Sequence, residues 1–237
     1  MRTFFKSLRS FSLKDIEEPD DVIERTPIPG LHWIRTYGLK STEHSRIVLP
    51  SQGQGNFSVV FHADDFSESS HGGYEFYGLH LGQSDVLTFL ATDARTMTGH
   101  FVDCRKDSPT LHTACALSFS GDPDKALVID RGVAHIFDNL IGMVTLNQMR
   151  LYVDFANPDF NPATDVINVA RDTPLDRFPA ISVNRYKAPA WLCRIAVKAQ
   201  RLQLRSGMAN PNHPFKFKVG KKTLTLTRVR GFKDAVR

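Results

Sequence analysis

Six short apolar runs set the limits on what this chain can fold into: Phe57-Ser-Val-Val-Phe61, Val86-Leu-Thr-Phe-Leu90, Ala116-Leu-Ser-Phe119, Ala126-Leu-Val-Ile129, Met143-Val-Thr-Leu146 and Leu151-Tyr-Val-Asp-Phe155. Gly, Pro, Asn and Asp separate them, and no long helical period intervenes before residue 188. Runs this short suit strands of about four to eight residues, not helices of three turns. An all-β sandwich, jelly roll or barrel is therefore expected. At 237 residues the chain has room for one large β domain with extensions, or for two small domains. No apolar run approaches the ~20 residues that a membrane-spanning helix needs.

The charge divides the chain. Residues 188–237 hold 12 Lys and Arg against one acid, Asp234, a net +11, which leaves residues 1–187 at −6. Residues 1–25 form a basic, Phe-rich start that ends in Ile16-Glu-Glu-Pro-Asp-Asp21. This start lacks the uninterrupted apolar core and small-residue cleavage site of a secretory signal, and it reads as an N-terminal arm. Residues 26–187 read as the β domain and residues 188–237 as a basic extension. In that extension Leu192, Ile195, Ala199 and Leu202 share one helical face, and Arg194, Lys198, Arg201 and Arg205 share another. Phe215-Lys-Phe-Lys-Val219 and Thr223-Leu-Thr-Leu-Thr-Arg-Val229 alternate around Gly220-Lys-Lys222 and read as a hairpin. So positive a face can take an anionic partner or dock on the acidic body, and the apolar helix face favours docking. Three cysteines without metal spacing read as reduced thiols of a cytosolic protein.

The chemistry gathers around two histidines. His80 lies in Tyr77-Gly-Leu-His-Leu-Gly-Gln83; His135 lies in Gly132-Val-Ala-His135, with Asn139 four residues on. Both sit in strand-like sequence, where alternate side chains point inward. A neutral imidazole is a base poised near neutral pH. His135 also reads as a satisfied core histidine, and His62 and His100 as ordinary strand residues. Asp103 and Arg105 read as a barrel-end ion pair and Ser108-Pro-Thr110 as turn chemistry.

Residues from about 28 to 187 resemble the dTDP-4-dehydrorhamnose 3,5-epimerase family of sugar-nucleotide enzymes. Four segments carry the resemblance: Ile28-Pro-Gly-Leu31, Ala63-Asp-Asp-Phe-Ser-Glu-Ser69, Gly78-Leu-His80, and Asp103-Cys-Arg-Lys-Asp-Ser-Pro-Thr110 followed by Gly132-Val-Ala-His135. The resemblance implies an all-β, double-stranded β-helix (a cupin jelly roll), here with an N-terminal arm and a basic C-terminal helix-plus-hairpin extension. It implies a cofactor-free epimerase or isomerase that moves a proton beside the ketone of a 4-keto-6-deoxysugar nucleotide. It further implies a cytoplasmic homodimer serving polysaccharide assembly.

Position by position, the resemblance makes His80 the base and Tyr152 the acid. It makes His135, Asp65, Tyr77, Gln83, Asn184 and Arg185 substrate-binding residues. The match is partial. Tyr77 replaces the Arg before Gly-Leu-His, and Gln83-Ser-Asp-Val86 stands where the family has a Lys. Tyr152 is one position from the acid's register, and one residue of slip turns a strand side chain to the other face. Asn184 or Arg185 stands where an Asp supports the base. A catalytically degenerate cupin that binds a nucleotide sugar or glycan without turnover is the alternative reading. No metal is expected, because His80-Leu-Gly82 lacks the His-x-His of metal-holding cupins.

Overall fold

The computed structural model describes residues 20–42, 45–49, 58–62, 74–91, 94–154, 166–189, 191–194, 215–219, 222–226 and 230–231. The strands in chain order begin with β1 (Val22–Arg25), β2 (Leu31–Arg35), β3 (Tyr37–Thr42), β4 (Ser45–Leu49), β5 (Ser58–Phe61) and β6 (Phe76–His80). They continue with β7 (Gln83–Leu90), β8 (Thr96–Asp103), β9 (Ala114–Ser120), β10 (Lys125–Ile129), β11 (Val133–Asp138) and β12 (Val144–Asn147). The last are β13 (Arg150–Val153), β14 (Val166–Ala170), β15 (Tyr186–Lys187), β16 (Phe215–Val219), β17 (Lys222–Leu226) and β18 (Arg230–Gly231).

One large sheet has the order β1-β2-β10-β7-β12-β5, with β13 joining β7 and β15 joining β13; a second has the order β18-β14-β6-β11-β8-β9, and β3 pairs with β4. Among the described strands all pairs are antiparallel except β14 with β18. From β6 to β14 the chain repeatedly crosses between the two sheets, which is the winding of a jelly roll, a double-stranded β-helix. Val22–Arg25, expected in the arm, instead forms the edge strand β1 on β2. Asp20 anchors that segment through a bidentate pair with Arg150 at 2.6 and 2.8 Å.

The two-residue strand period sorts the side chains. Leu31, Trp33, Leu87, Phe89, Leu127 and Ile129 of one sheet meet Met97, Phe101, Phe119, Val133 and Phe137 of the other in a buried core. Phe89 packs on both Phe119 and Phe137, with ring centroids 4.8 and 5.3 Å apart. Residues of opposite parity on the second sheet, Leu79, Val102, Ala134 and Val169, pack outside it with Cys104 and Phe178.

The hairpin of the basic extension is β16–β17, with Val219 opposite Lys222. Of the expected helix, residues 191–194 form a helical turn; residues 195–205, with Lys198, Arg201 and Arg205, lie outside the described residues, as do residues 1–19 of the arm. Leu192 and Cys193 pack with Met149, Leu151, Val153 and Ala188 of the body, whereas Trp191 is exposed.

Candidate functional site

His80 closes β6, a two-residue link follows, and β7 returns antiparallel to the sheet facing it. Leu79 faces outward, so parity turns His80 into the barrel. On β7, Leu87 and Phe89 face inward, so Asp85 does too; on β11, Val133 and Phe137 do the same for His135. The three side chains meet at the barrel mouth. Asp85 Oδ2 lies 3.5 Å from His80 Nε2 and 3.4 Å from His135 Nε2. The two imidazole centroids are 5.8 Å apart. Asp85 is buried and the histidines are partly covered. Gly78, the register partner of His135, has no side chain to cover it; a Cβ there would stand 3.9 Å from His135 Nε2.

Two amides fix the carboxylate. Gln83 Nε2 donates to Asp85 Oδ1 at 2.7 Å and Asn147 Nδ2 donates to the same oxygen at 2.8 Å. Burial pushes the Asp85 carboxyl upward, but the two imidazoles and the two amides outweigh it and hold the group below its ordinary range. Burial pushes His135 below the usual imidazole value, against the opposing pull of Asp85.

The loop ahead of β11 is locked to the site. Gly132 N–H donates to His80 O at 2.7 Å. Gly132 takes φ +82°, and a Cβ there would lie 2.3 Å from Arg105 Cγ, so the motif needs glycine at this position. Arg105 is held in turn by Asp103. That buried carboxylate accepts from Arg105 Nε, Nη2 and backbone N–H, from Ser108 Oγ and from Thr110 Oγ1, at 2.6 to 3.0 Å. The Asp-x-Arg-x-x-Ser-x-Thr segment is thus a barrel-end brace.

The other expected site residues separate. Gln83 lies in the site, through Asp85. Tyr77 does not: it shares the outward face of β6 with Leu79 and packs edge-on against Phe178. Tyr152 also faces away. Its neighbour Leu151 pairs with the inward Gln83, so Tyr152 turns outward, where Arg131 stacks over its ring at 3.8 Å. Asn184 is buried, but its side chain donates to Tyr152 O at 3.3 Å; Arg185 is exposed. Asp65 lies outside the described residues.

The carboxylate that meets His80 is therefore that of Asp85, not a group at position 184 or 185. The pattern His80-x-x-x-x-Asp85 carried the signal: a strand end, a two-residue link, and the third residue of the next strand facing inward. Neither Asp85 nor its amide donor Asn147 was expected in the site.

Two other histidines are satisfied away from the mouth. His62 Nε2 lies 2.8 Å from Thr145 Oγ1, and His62 Nδ1 lies 3.1 Å from Tyr74 OH. His100 meets Asp138 at 3.0 Å, and Asp138 also takes a bidentate pair from Arg171 at 2.6 and 2.7 Å. These last residues line a polar groove of about 570 Å³ with Thr98 and Asn139. Its charges pair within the groove.

No protein-family model and no curated protein matches the chain. Solved structures do. They include a dTDP-4-dehydrorhamnose 3,5-epimerase from Bacillus anthracis with TDP and PPi bound, 16% identical, with a TM-score of 0.45 over 71% of this chain and 94% of that one. A dTDP sugar isomerase from Desulfovibrio desulfuricans is 12% identical, with a TM-score of 0.47 over 67% of this chain and 95% of that one. A mutant 3,4-ketoisomerase from Thermoanaerobacterium thermosaccharolyticum, in complex with TDP-4-keto-6-deoxyglucose, is 13% identical, with a TM-score of 0.38 over 55% of this chain and 86% of that one.

Proposed function

We propose that this chain is an isomerase of nucleotide-linked keto sugars, removing a proton from the carbon beside a ketone and returning it to the resulting enediolate. The observation that carries this reading is the convergence of His80 and His135 on the buried carboxylate of Asp85. His80 is the more open of the two imidazoles and takes the proton. Asp85 stabilises the imidazolium that forms, and the Nε2 lone pair of His135 lies beside the same carboxylate, where it can take the proton on. The motifs Gly78-Leu-His80 and Gly132-Val-Ala-His135 support the substrate class, a 4-keto-6-deoxysugar nucleotide.

Both proton carriers stand on one wall, and among the described residues no tyrosine faces them. A proton taken from the carbon beside the ketone and delivered from the same side to the former carbonyl carbon, with the hydroxyl proton passing from the first oxygen to the second, moves the ketone to the neighbouring carbon. A ketone shift is therefore favoured over 3,5-epimerisation. The reading includes a cytosolic homodimer acting in deoxysugar supply for polysaccharides. The three free thiols support the compartment, and the exposed Val59 and Val60 on the edge strand β5 support pairing.

The test is solvent-deuterium uptake into TDP-4-keto-6-deoxyglucose, followed by NMR. Uptake with a shifted ketone is expected, and His80→Asn should slow it by about 10²–10⁴-fold, the usual weight of a general base. Uptake at C3 and C5 with inversion would restore the epimerase. Saturable binding without uptake would make the chain a non-catalytic sugar-nucleotide binder.

A further inference from the structure

The orientation of His135 leaves an unbalanced contact in the site. Its Nδ1 lies 3.3 Å from Val133 O. A carbonyl oxygen only accepts, so Nδ1 carries the hydrogen there. In the neutral ring Nε2 is then a bare lone pair, and it faces Asp85 Oδ2 at 3.4 Å. His80 Nε2 faces the same oxygen at 3.5 Å. The amides of Gln83 and Asn147 both donate to the other oxygen, Oδ1, and leave Oδ2 to the imidazoles. The bare lone pair of His135 and a buried carboxylate oxygen repel unless a cation lies between them.

We propose that His80, Asp85 and His135 form a binding site for one divalent transition-metal ion. The three donor atoms lie within 4.8 Å of one another. Metal–ligand bonds of ~2.0–2.2 Å in a tetrahedral site give ligand–ligand edges of about 3.3–3.6 Å. The two edges at Asp85 Oδ2, 3.4 and 3.5 Å, already have that length. Two imidazole nitrogens with one carboxylate oxygen suit iron, cobalt or zinc, not magnesium or calcium. Gln83 and Asn147 orient the carboxylate ligand as an outer layer does in metal sites. Of the three ligands His80 is the most exposed. The expectation of no metal rested on the missing His-x-His; the fold supplies a carboxylate five residues after His80 instead.

The site does not depend on the isomerase reading, but it constrains it. An imidazole that binds a metal through Nε2 carries its hydrogen on Nδ1 and has no lone pair left for a substrate proton, so loading and proton abstraction by His80 exclude each other.

The test titrates Co²⁺ into the chelator-treated full chain, reading visible absorption and calorimetry. One ion per chain with d–d bands of a low-coordinate site is expected. Asp85→Asn and His135→Gln should each weaken binding at least ~10–100-fold, a loss that outer-layer changes alone can cause. Gln83→Ala, which leaves all three ligands in place, should weaken it less while circular dichroism stays unchanged. Undetectable binding at millimolar Co²⁺, or binding that Asp85→Asn and Gln83→Ala both leave intact, would overturn the proposal. Deuterium uptake separates the two readings. Uptake that zinc suppresses and chelator restores supports both. Cobalt binding with no uptake in any state keeps the metal site and removes the isomerase. Uptake only in loaded protein keeps the site and removes His80 as base.

Discussion

Replacing Asp103 by Asn tests the brace that holds the mouth of the barrel. Asp103 is fully buried and accepts five hydrogen bonds, three of them from Arg105. Burial alone would push its carboxyl up, yet these donors pull it down to about 2 from 3.8. At ~1.4 kcal/mol per pKa unit, that difference stabilises the fold by about 2 kcal/mol wherever the unfolded chain's carboxyl is ionised. The contribution is whole above pH ~4 and falls away as the pH drops toward 2, because the unfolded state binds this proton first.

Asp103→Asn removes the charge and leaves the Arg105 guanidinium, largely covered, facing a neutral amide. Breaking a buried pair from one side costs about 3–5 kcal/mol. The gap between the two proteins in urea unfolding should be of that size at pH 7 and should shrink by about 2 kcal/mol by pH 2. A gap that stays constant from pH 7 to pH 2 would refute the linkage. A gap below ~1 kcal/mol at pH 7 would refute the brace.

Three further outcomes follow from the same geometry. Gly132→Ala should lower the melting temperature and destabilise by about 1–3 kcal/mol, since it adds a strained φ and a Cβ 2.3 Å from Arg105 Cγ; an unchanged melt would mean the turn can move aside. In native protein at pH 8, Cys104 should stay unlabelled by a disulfide reagent while the partly exposed Cys115 reacts, because burial pushes the Cys104 thiol to about 12; rapid labelling of Cys104 would contradict its packing. Tyr152→Phe should leave deuterium uptake within about twofold, because the phenol faces away from His80; a loss of 10²-fold or more, the usual weight of an acid–base group, would return Tyr152 to the reaction.

What the sequence made legible depended on period, and what it hid depended on register. Runs such as Val86–Leu90 and Ala126–Ile129 have strand length, and each falls within a strand of the jelly roll. His80 and His135 could be placed in one barrel because inward parity at two strands is a local property. Tyr152 needed more. Whether a residue on β13 faces in or out is decided by its pairing with β7, and Leu151 opposite Gln83 settles it outward. Asp85 was hidden for another reason. Weighed against a lysine position it looked like a loss, and weighed against the Asp missing at 184 it stood 99 residues away. Only the return of the chain from β6 into β7 brings it beneath both imidazoles. A carboxylate partner is thus supplied from the strand after His80, not from a distant strand. The acid tyrosine has no such replacement among the described residues. On the proposed reading, base and carboxylate are kept, and among the described residues no tyrosine faces them from the other side.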